Sequence, residues 1–218
     1  MKIAVLFSGG KDSTYSIYLA KQLNNDIKCL ISMDSKNKYS YLFHTPTINM
    51  VEIQSKLMKI PLIARKTSGE KEKELEDLKT AIRTAQRKFG IEGIVTGAIR
   101  STYQSTRFER VCNELGIWCF NPLWLNDKII YDEIEKMDVI ISGVSAYPLD
   151  EKFIGMKFKE ALKKFPKEIN KTGEGGEFET LVLDAPMFEK KIVLKDFEVW
   201  YENYSGRMVV KKFELVEK

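Results

Sequence analysis

The sequence is short of the residues that build staples and metal cages. Its 218 residues include only three cysteines, Cys29, Cys112 and Cys119, widely spread and without a CxxC pair, and one histidine, His44. A disulfide framework and a cysteine-based metal cluster are excluded on that count, and one histidine alone makes no metal site. No apolar run approaches the roughly 18 residues of a membrane helix. Residues 1–10 already read as a strand rather than a cleaved signal, so no membrane partner and a cytoplasmic location are expected. Charge of one sign is lacking too: 35 basic against 31 acidic residues leave +4, too little to argue for a nucleic-acid partner. What remains is ordinary globular composition, 44% hydrophobic and 30% charged, with length for one large or two small domains.

Strand and helix patterns alternate through the first half. Residues 2–7 read as a buried strand and 12–24 as a helix; 27–33 is a near-continuous apolar strand, 48–58 a helix, and 60–66 a third strand. Residues 70–90 form a charged helix closed by Gly90, and 92–97 a strand ending at Gly97. A helix over 101–116 opens on Ser101 with Gln104 three residues on, a capping-box pattern, and 117–120 is a fifth strand. This order predicts an α/β fold, a doubly wound parallel five-stranded sheet of Rossmann-like type.

After "NPLW" the character changes. A short helix near 130–137, a strand over 138–147, a helix around 155–165 and a strand over 178–184 come next. Two late strands, near 191–201 and 207–216, are joined by "NYSG" as an antiparallel hairpin. The chain therefore divides near 125, with a first domain over 1–125 and a second, smaller α/β domain over 126–218. Trp118, Trp124 and Trp200 are expected in the core, and His44 in a structural or cleft-lining position.

Between the first strand and first helix stands "FSGGKDST", residues 7–14. A strand–glycine–helix junction brings bare amides and the positive end of a helix to one spot, which is a seat for phosphate. Gly9 and Gly10 permit close approach, Ser8 and Ser13 offer hydroxyls, and Lys11 offers a cation. Asp12 would repel bare phosphate; it fits if Mg²⁺ lies between, or if it braces the loop. The spacings of the Walker loop and of GxGxxG are both absent.

"SGGKDS" instead resembles the loop of the PP-loop ATP pyrophosphatases, which implies ATP cleaved between its α and β phosphates. With strand order 3-2-1-4-5, ligands sit over the carboxyl ends of strands 1 and 4. "TGAIRST" (96–102) leaves strand 4 there, so Gly97, Ala98 and Ile99 face the glycine loop, with the next helix N-terminus adding a second dipole. Residues "SMD" (32–34), Met33 among them, border adenine through main-chain groups in this reading.

Further segments, "GAIRSTYQSTRFERVCNELGI", "FNPLW", "SGVSAYPLDEKFIG" and "GEGGEFETLVLDAPMF", resemble the diphthine–ammonia ligase family over essentially the whole chain. The resemblance implies ATP- and Mg²⁺-dependent amidation of diphthine on translation elongation factor 2 by ammonium, through an acyl-adenylate, with AMP and pyrophosphate released. It implies an archaeal or eukaryotic cytoplasm, and the Lys-rich, compact chain leans archaeal; a homo-oligomer is compatible with it. The site it implies joins Lys11 and Asp12 to Arg107 and to Glu174, Glu177 and Glu179, acids that can meet ammonium, Mg²⁺ or a trimethylammonium group beside Phe178. Tyr103, Gln104 and Arg107 match the family's helix, Glu109 ends that match, and Gly175, Gly176, Glu177 and Thr180 complete the acceptor side. Two other readings compete: a tRNA-modifying PP-loop ligase, against which the lack of a cysteine pair weighs, and a non-catalytic ATP-binding sensor.

Overall fold

The computed structural model describes residues 1–35, 48–70, 72–126 and 135–218. The first half builds β1 (Lys2–Leu6), α1 (Lys11–Gln22), β2 (Asp26–Ser35), α2 (Ile48–Leu57), β3 (Leu62–Thr67), α3 (Lys73–Phe89), β4 (Gly93–Val95), α4 (Thr102–Leu115) and β5 (Trp118–Phe120). Its five strands are parallel and ordered β3-β2-β1-β4-β5, as the motif placement requires. The order puts the connections out of β1 and β4 side by side, at the switch point where a crevice opens.

Local chemistry sets the helix ends. Gly90 and Gly116 close α3 and α4 in the left-handed region, and the Ser101 hydroxyl caps α4 by accepting from the Gln104 amide at 3.3 Å. α3 buries Leu75, Leu78, Ala81, Ile82 and Ala85 at inward helical spacing against the sheet and shows its charges outside. Its core also takes Ile94, Phe108, Val111 and Cys112, so α3 and α4 cover one face.

The second half holds β6 (Asp138–Val144), a single 3₁₀ turn (Glu151–Phe153), α5 (Phe158–Lys164), β7 (Phe178–Asp184), β8 (Lys191–Glu202) and β9 (Ser205–Val216). Its sheet is antiparallel, ordered β7-β6-β9-β8. The β8–β9 hairpin turns on Asn203 and Tyr204, both at positive φ (49° and 60°), the geometry of the two-residue hairpin turn. The helix expected near 130–137 lies largely outside the described residues, as does His44.

One continuous core joins the two sheets. Ile3, Val5, Phe7 and Ile17 pack in the same buried cluster as Val139, Ile141, Phe158, Leu181 and Val182. Two tryptophans depart from the expected burial: Trp118 is 65% exposed and Trp200 45% exposed. Trp118 lies on the edge strand β5, and Trp200 lies on the open side of the hairpin, so neither has a layer to cover it.

Candidate active site

The loop between β1 and α1 is held from two directions. Gly9, at φ +80°, turns its carbonyl so that it accepts from the Val182 amide at 3.1 Å and from Gln54 Nε2 at 3.0 Å. Gln54 Nε2 also donates to the Val182 carbonyl at 2.8 Å, so one amide group from α2 seals the joint between loop and β7. The Lys11 amide donates to Thr180 Oγ1 at 3.0 Å. The glycine loop therefore lies along the free edge of the second sheet.

Inside the loop, Ser8 Oγ and Ser13 Oγ share a hydrogen bond of 3.1 Å, and Ser13 Oγ accepts from the Ser8 amide at 3.3 Å. Gly10 caps α1 without a side chain of its own, and the first helical amide, of Lys11, is met instead by Thr180 Oγ1. A Cβ on Gly10 would stand 3.2 Å from both the Thr180 carbonyl and its hydroxyl. Glycine is thus required there for approach to β7.

Lys11 is among the large side chains that are fully buried, 2% exposed. Its ammonium donates to both Asp12 oxygens at 2.7 Å and to the Thr172 carbonyl at 2.8 Å, with the Phe158 and Phe178 rings 5.7 and 5.9 Å away. Asp12 keeps 29% of its side chain exposed. Burial nonetheless raises its carboxyl above the usual range, against the opposing pull of Lys11.

Across the crevice, the turn after β4 presses directly on the first turn of α1. A Cβ on Gly97 would fall 2.9 Å from the Ser13 nitrogen and 3.0 Å from the Asp12 carbonyl carbon. Ala98 and Ile99 are buried behind it, and Glu174 closes the turn from the second domain. Its Oε1 accepts from the Ile99 amide at 3.0 Å and its Oε2 from the Arg100 amide at 3.1 Å.

The three acids of "GEGGEFET" thus occupy different environments. Glu174 is spent on loop amides. Glu177 has one buried carboxylate oxygen, Oε2, with no hydrogen-bond partner, while its carbonyl accepts from Ser145 at 2.8 Å. A Cβ on Gly175 would lie 2.7 Å from Glu177 Oε1, and Gly176 turns at φ +77°, so these two glycines shape the bend around that acid. Glu179, on β7, is pushed up to about 8 by burial and by neighbouring Asp12, with Lys11 opposing. Phe178 is no open aromatic wall: it is 4% exposed and packs on Phe158 and Phe165.

The structure therefore brings Ser8, Gly9, Gly10, Lys11, Asp12, Ser13, Gly97, Ala98, Ile99, Glu174, Glu179 and Thr180 together where the glycine loop, the turn after β4 and β7 meet, and leaves Glu177 at the bend before β7, its carbonyl bonded to the Ser145 amide. Met33 closes β2 with its side chain in the core. Tyr103 and Arg107 do stand on one face of α4, the guanidinium stacked 3.5 Å from the ring centroid. That face looks toward α3, where Arg107 Nη2 comes to 4.0 Å from Glu72 Oε1. Gln104 contributes its amide to the α4 cap. Gln54 and Thr172 were not singled out from the sequence, although Gln54 is a polar residue at an inward position of an otherwise apolar helical stripe. Among the described residues, no group of three or more His, Cys, Asp or Glu forms a metal cage, and no helix is long and apolar enough to cross a membrane.

Comparison with known proteins fits this two-part layout. A family model described as diphthamide synthase N-terminal domain matches residues 1–119, and one described as diphthamide synthase C-terminal domain matches residues 125–216. Among curated relatives, the diphthine–ammonia ligase of Schizosaccharomyces pombe is 33% identical over 100% of this chain and 40% of its own length. That of Saccharomyces cerevisiae is 33% identical over 87% of this chain and 34% of its own length. The bovine protein of the same name is 31% identical over 91% of this chain and 85% of its own length. The chain thus spans well under half of the two fungal relatives and most of the bovine one.

Proposed function

Because the chain belongs to the diphthamide synthase family, we propose that it amidates diphthine on elongation factor 2 with ammonium at the expense of ATP. AMP and pyrophosphate are the other products. The observation that carries this reading is the junction of the two motifs: Thr180 and Glu174 of "GEGGEFET" bond the main chain of the glycine loop and of the turn after β4. An energy-yielding site and an acceptor site that share hydrogen bonds suit a reaction with two substrates and one reactive intermediate.

In this reading the N-terminus of α1, with Ser8, Gly9, Gly10 and Ser13, receives the β and γ phosphates. Gly97, Ala98 and Ile99 border the nucleotide, with the main chain at Met33 on the adenine side. A carboxylate oxygen leaves poorly; adenylation turns it into AMP, and ammonia then attacks the acyl carbon. Lys11 holds Asp12 by both oxygens and so fixes where that acid stands. Asp12 supplies one part-exposed carboxylate, which fits a Mg²⁺ carried mainly by phosphate oxygens rather than by a protein cage. The metal neutralises phosphate charge when bound. Glu179 takes the proton of ammonium, since an acid raised to about 8 stands close to ammonium's own affinity for protons. Glu177 offers the acceptor an unpaired oxygen, and Arg107, stacked on Tyr103 on the α3 side of α4, is left to meet the substrate only by leaving Glu72. A division of labour about residue 125 and an archaeal cytoplasmic setting complete the proposal.

The test mixes purified protein, ATP, Mg²⁺, ammonium and diphthine-bearing elongation factor 2. AMP, pyrophosphate and amidated factor are expected together. ADP as the sole nucleotide product overturns the adenylation.

A further inference from the structure

The second sheet carries a row that starts at Glu179 and runs on through residues that the site described above does not use. Pairing across its four strands puts Glu179 (β7) opposite Gly143 (β6), Gly143 opposite Arg207 (β9), and Arg207 opposite Trp200 (β8). Directly opposed residues share a face, so these four stand on one side of the sheet. The next row, Phe178, Val144, Gly206 and Tyr201, stands on the other, where Phe178 packs on Phe158 and a Cβ on Gly206 would meet Ile154.

Three features set the row apart. First, it begins at the glycine loop, because β7 is the sheet edge that bonds Gly9 and Lys11. Second, Gly143 lets the strands of the row stand close: a Cβ there would sit 3.0 Å from the Gly206 carbonyl oxygen and 3.6 Å from Glu179 Cβ. A bulge between Ile141 and Gly143 places that glycine opposite Glu179, as bulges beside active sites often do. Third, two buried polar atoms, one in the row and one beside it, lack protein partners. Arg207 Nε is buried without a hydrogen bond, and no ion pair reaches the guanidinium among the described residues. Ser142 Oγ, in the bulge and 0% exposed, is likewise unpartnered. A buried donor nitrogen without an acceptor is costly unless a ligand supplies one.

We infer that this row is the acceptor track, along which the substrate side chain enters past Trp200, and that Arg207 pairs with its carboxylate before adenylation. Neighbouring strands lie about 4.8 Å apart, so Arg207 stands about 10 Å from Glu179, within reach of an extended guanidinium. Once adenylated, the acyl group has lost its negative charge and its hold on Arg207, which frees it to meet ammonia beside Glu179. This assignment rests on the ligase reading above and names the residue that reads the acceptor.

The experiment measures AMP release by wild type, Arg207→Met and Arg207→Lys with ATP, ammonium and diphthine-bearing elongation factor 2, varying each substrate in turn. Arg207→Met keeps the apolar stem, and its thermal midpoint and binding of a non-hydrolysable ATP analogue monitor the fold. The expected result is an acceptor KM raised roughly 10–100-fold, the loss of one charged pair, with the KM for ATP within twofold and partial recovery in Arg207→Lys. An unchanged acceptor KM in Arg207→Met overturns the assignment alone. An equal rise in the KM for ATP also overturns it, placing Arg207 on the nucleotide instead. No AMP from the wild type removes the ligase reading, and the assignment falls with it.

Discussion

Glu174 and Ile99 meet across the two halves of the molecule, the Glu174 Oε1 accepting from the Ile99 amide at 3.0 Å while its second oxygen takes the Arg100 amide. An acid from the second domain thereby fixes the turn that presses on α1. Glu174→Ala leaves the part-buried Ile99 amide and the exposed Arg100 amide without that partner, at a cost of about 0.5–1.5 kcal/mol for each bond. The expected outcome is a raised KM for ATP and a thermal midpoint lowered by roughly 2–4 °C per kcal/mol lost. Calorimetry and AMP release check it; ATP kinetics like wild type would count against the clamp.

Lys11→Met should abolish turnover while also loosening the loop that carries Thr172. The substitution keeps the buried stem but removes the donor to Asp12 and to the Thr172 carbonyl. A loss of at least roughly 100-fold in AMP formation is expected, on the scale of removing a placed electrostatic group. Asp12→Asn should keep the fold and lose Mg²⁺-dependent turnover. A variant with normal rates at either position removes that residue from the site.

Glu179 sets a pH dependence whose sign follows from its raised carboxyl, about 8 against an ordinary 4.5. Between those values the folded protein holds a proton that the unfolded chain releases, so stability falls as pH rises through that window. Glu179→Gln lacks this slope. Its thermal midpoint should match wild type near the bottom of the window and exceed it near the top. Amidation by wild type should climb as pH passes about 8, while the variant stays low throughout; parallel melting curves at all pH values would sink this.

Gly97→Ala should block nucleotide binding in a folded protein. The added Cβ meets backbone of α1 at 2.9 and 3.0 Å, and neither atom belongs to a flexible side chain. The turn must lift away from the loop. Titration with a non-hydrolysable ATP analogue is expected to show affinity reduced roughly tenfold or more, for about 1.4 kcal/mol of misplacement.

Gln54→Leu tests the joint at Gly9. Two carbonyls, of Gly9 and Val182, lose the same donor. The cost is about 1–3 kcal/mol of stability, read from the unfolding midpoint in denaturant, together with weaker analogue binding. A midpoint at the wild-type value would show that α2 does not hold the loop.

The parallel sheet was legible because each of its signals is local. A glycine loop after a buried strand, a capping serine at 101 and closing glycines at 90 and 116 all act within a few residues. The gathering of Lys11 with Glu174 and Glu179 followed from the family resemblance, since nothing in spacing joins residues so far apart. Gln54 was passed over for the same reason: its worth lies in two carbonyls, one 45 and one 128 residues away. The exposure of Trp118 and Trp200 escaped the sequence because burial depends on which strands end at an edge. Arg107 was placed on the right face of α4 by its i, i+4 spacing from Tyr103, but spacing does not say what that face meets.

The hydrogen bonds from Val182 and Thr180 to the glycine loop also bear on how the protein is made. Residues 7–14 leave the ribosome early, yet the strand that braces them is synthesised some 170 residues later. The nascent first half carries the ATP motif without the edge that supports it. On the proposed reading, the loop that would hold ATP gains its full bracing only when the acceptor half has also emerged.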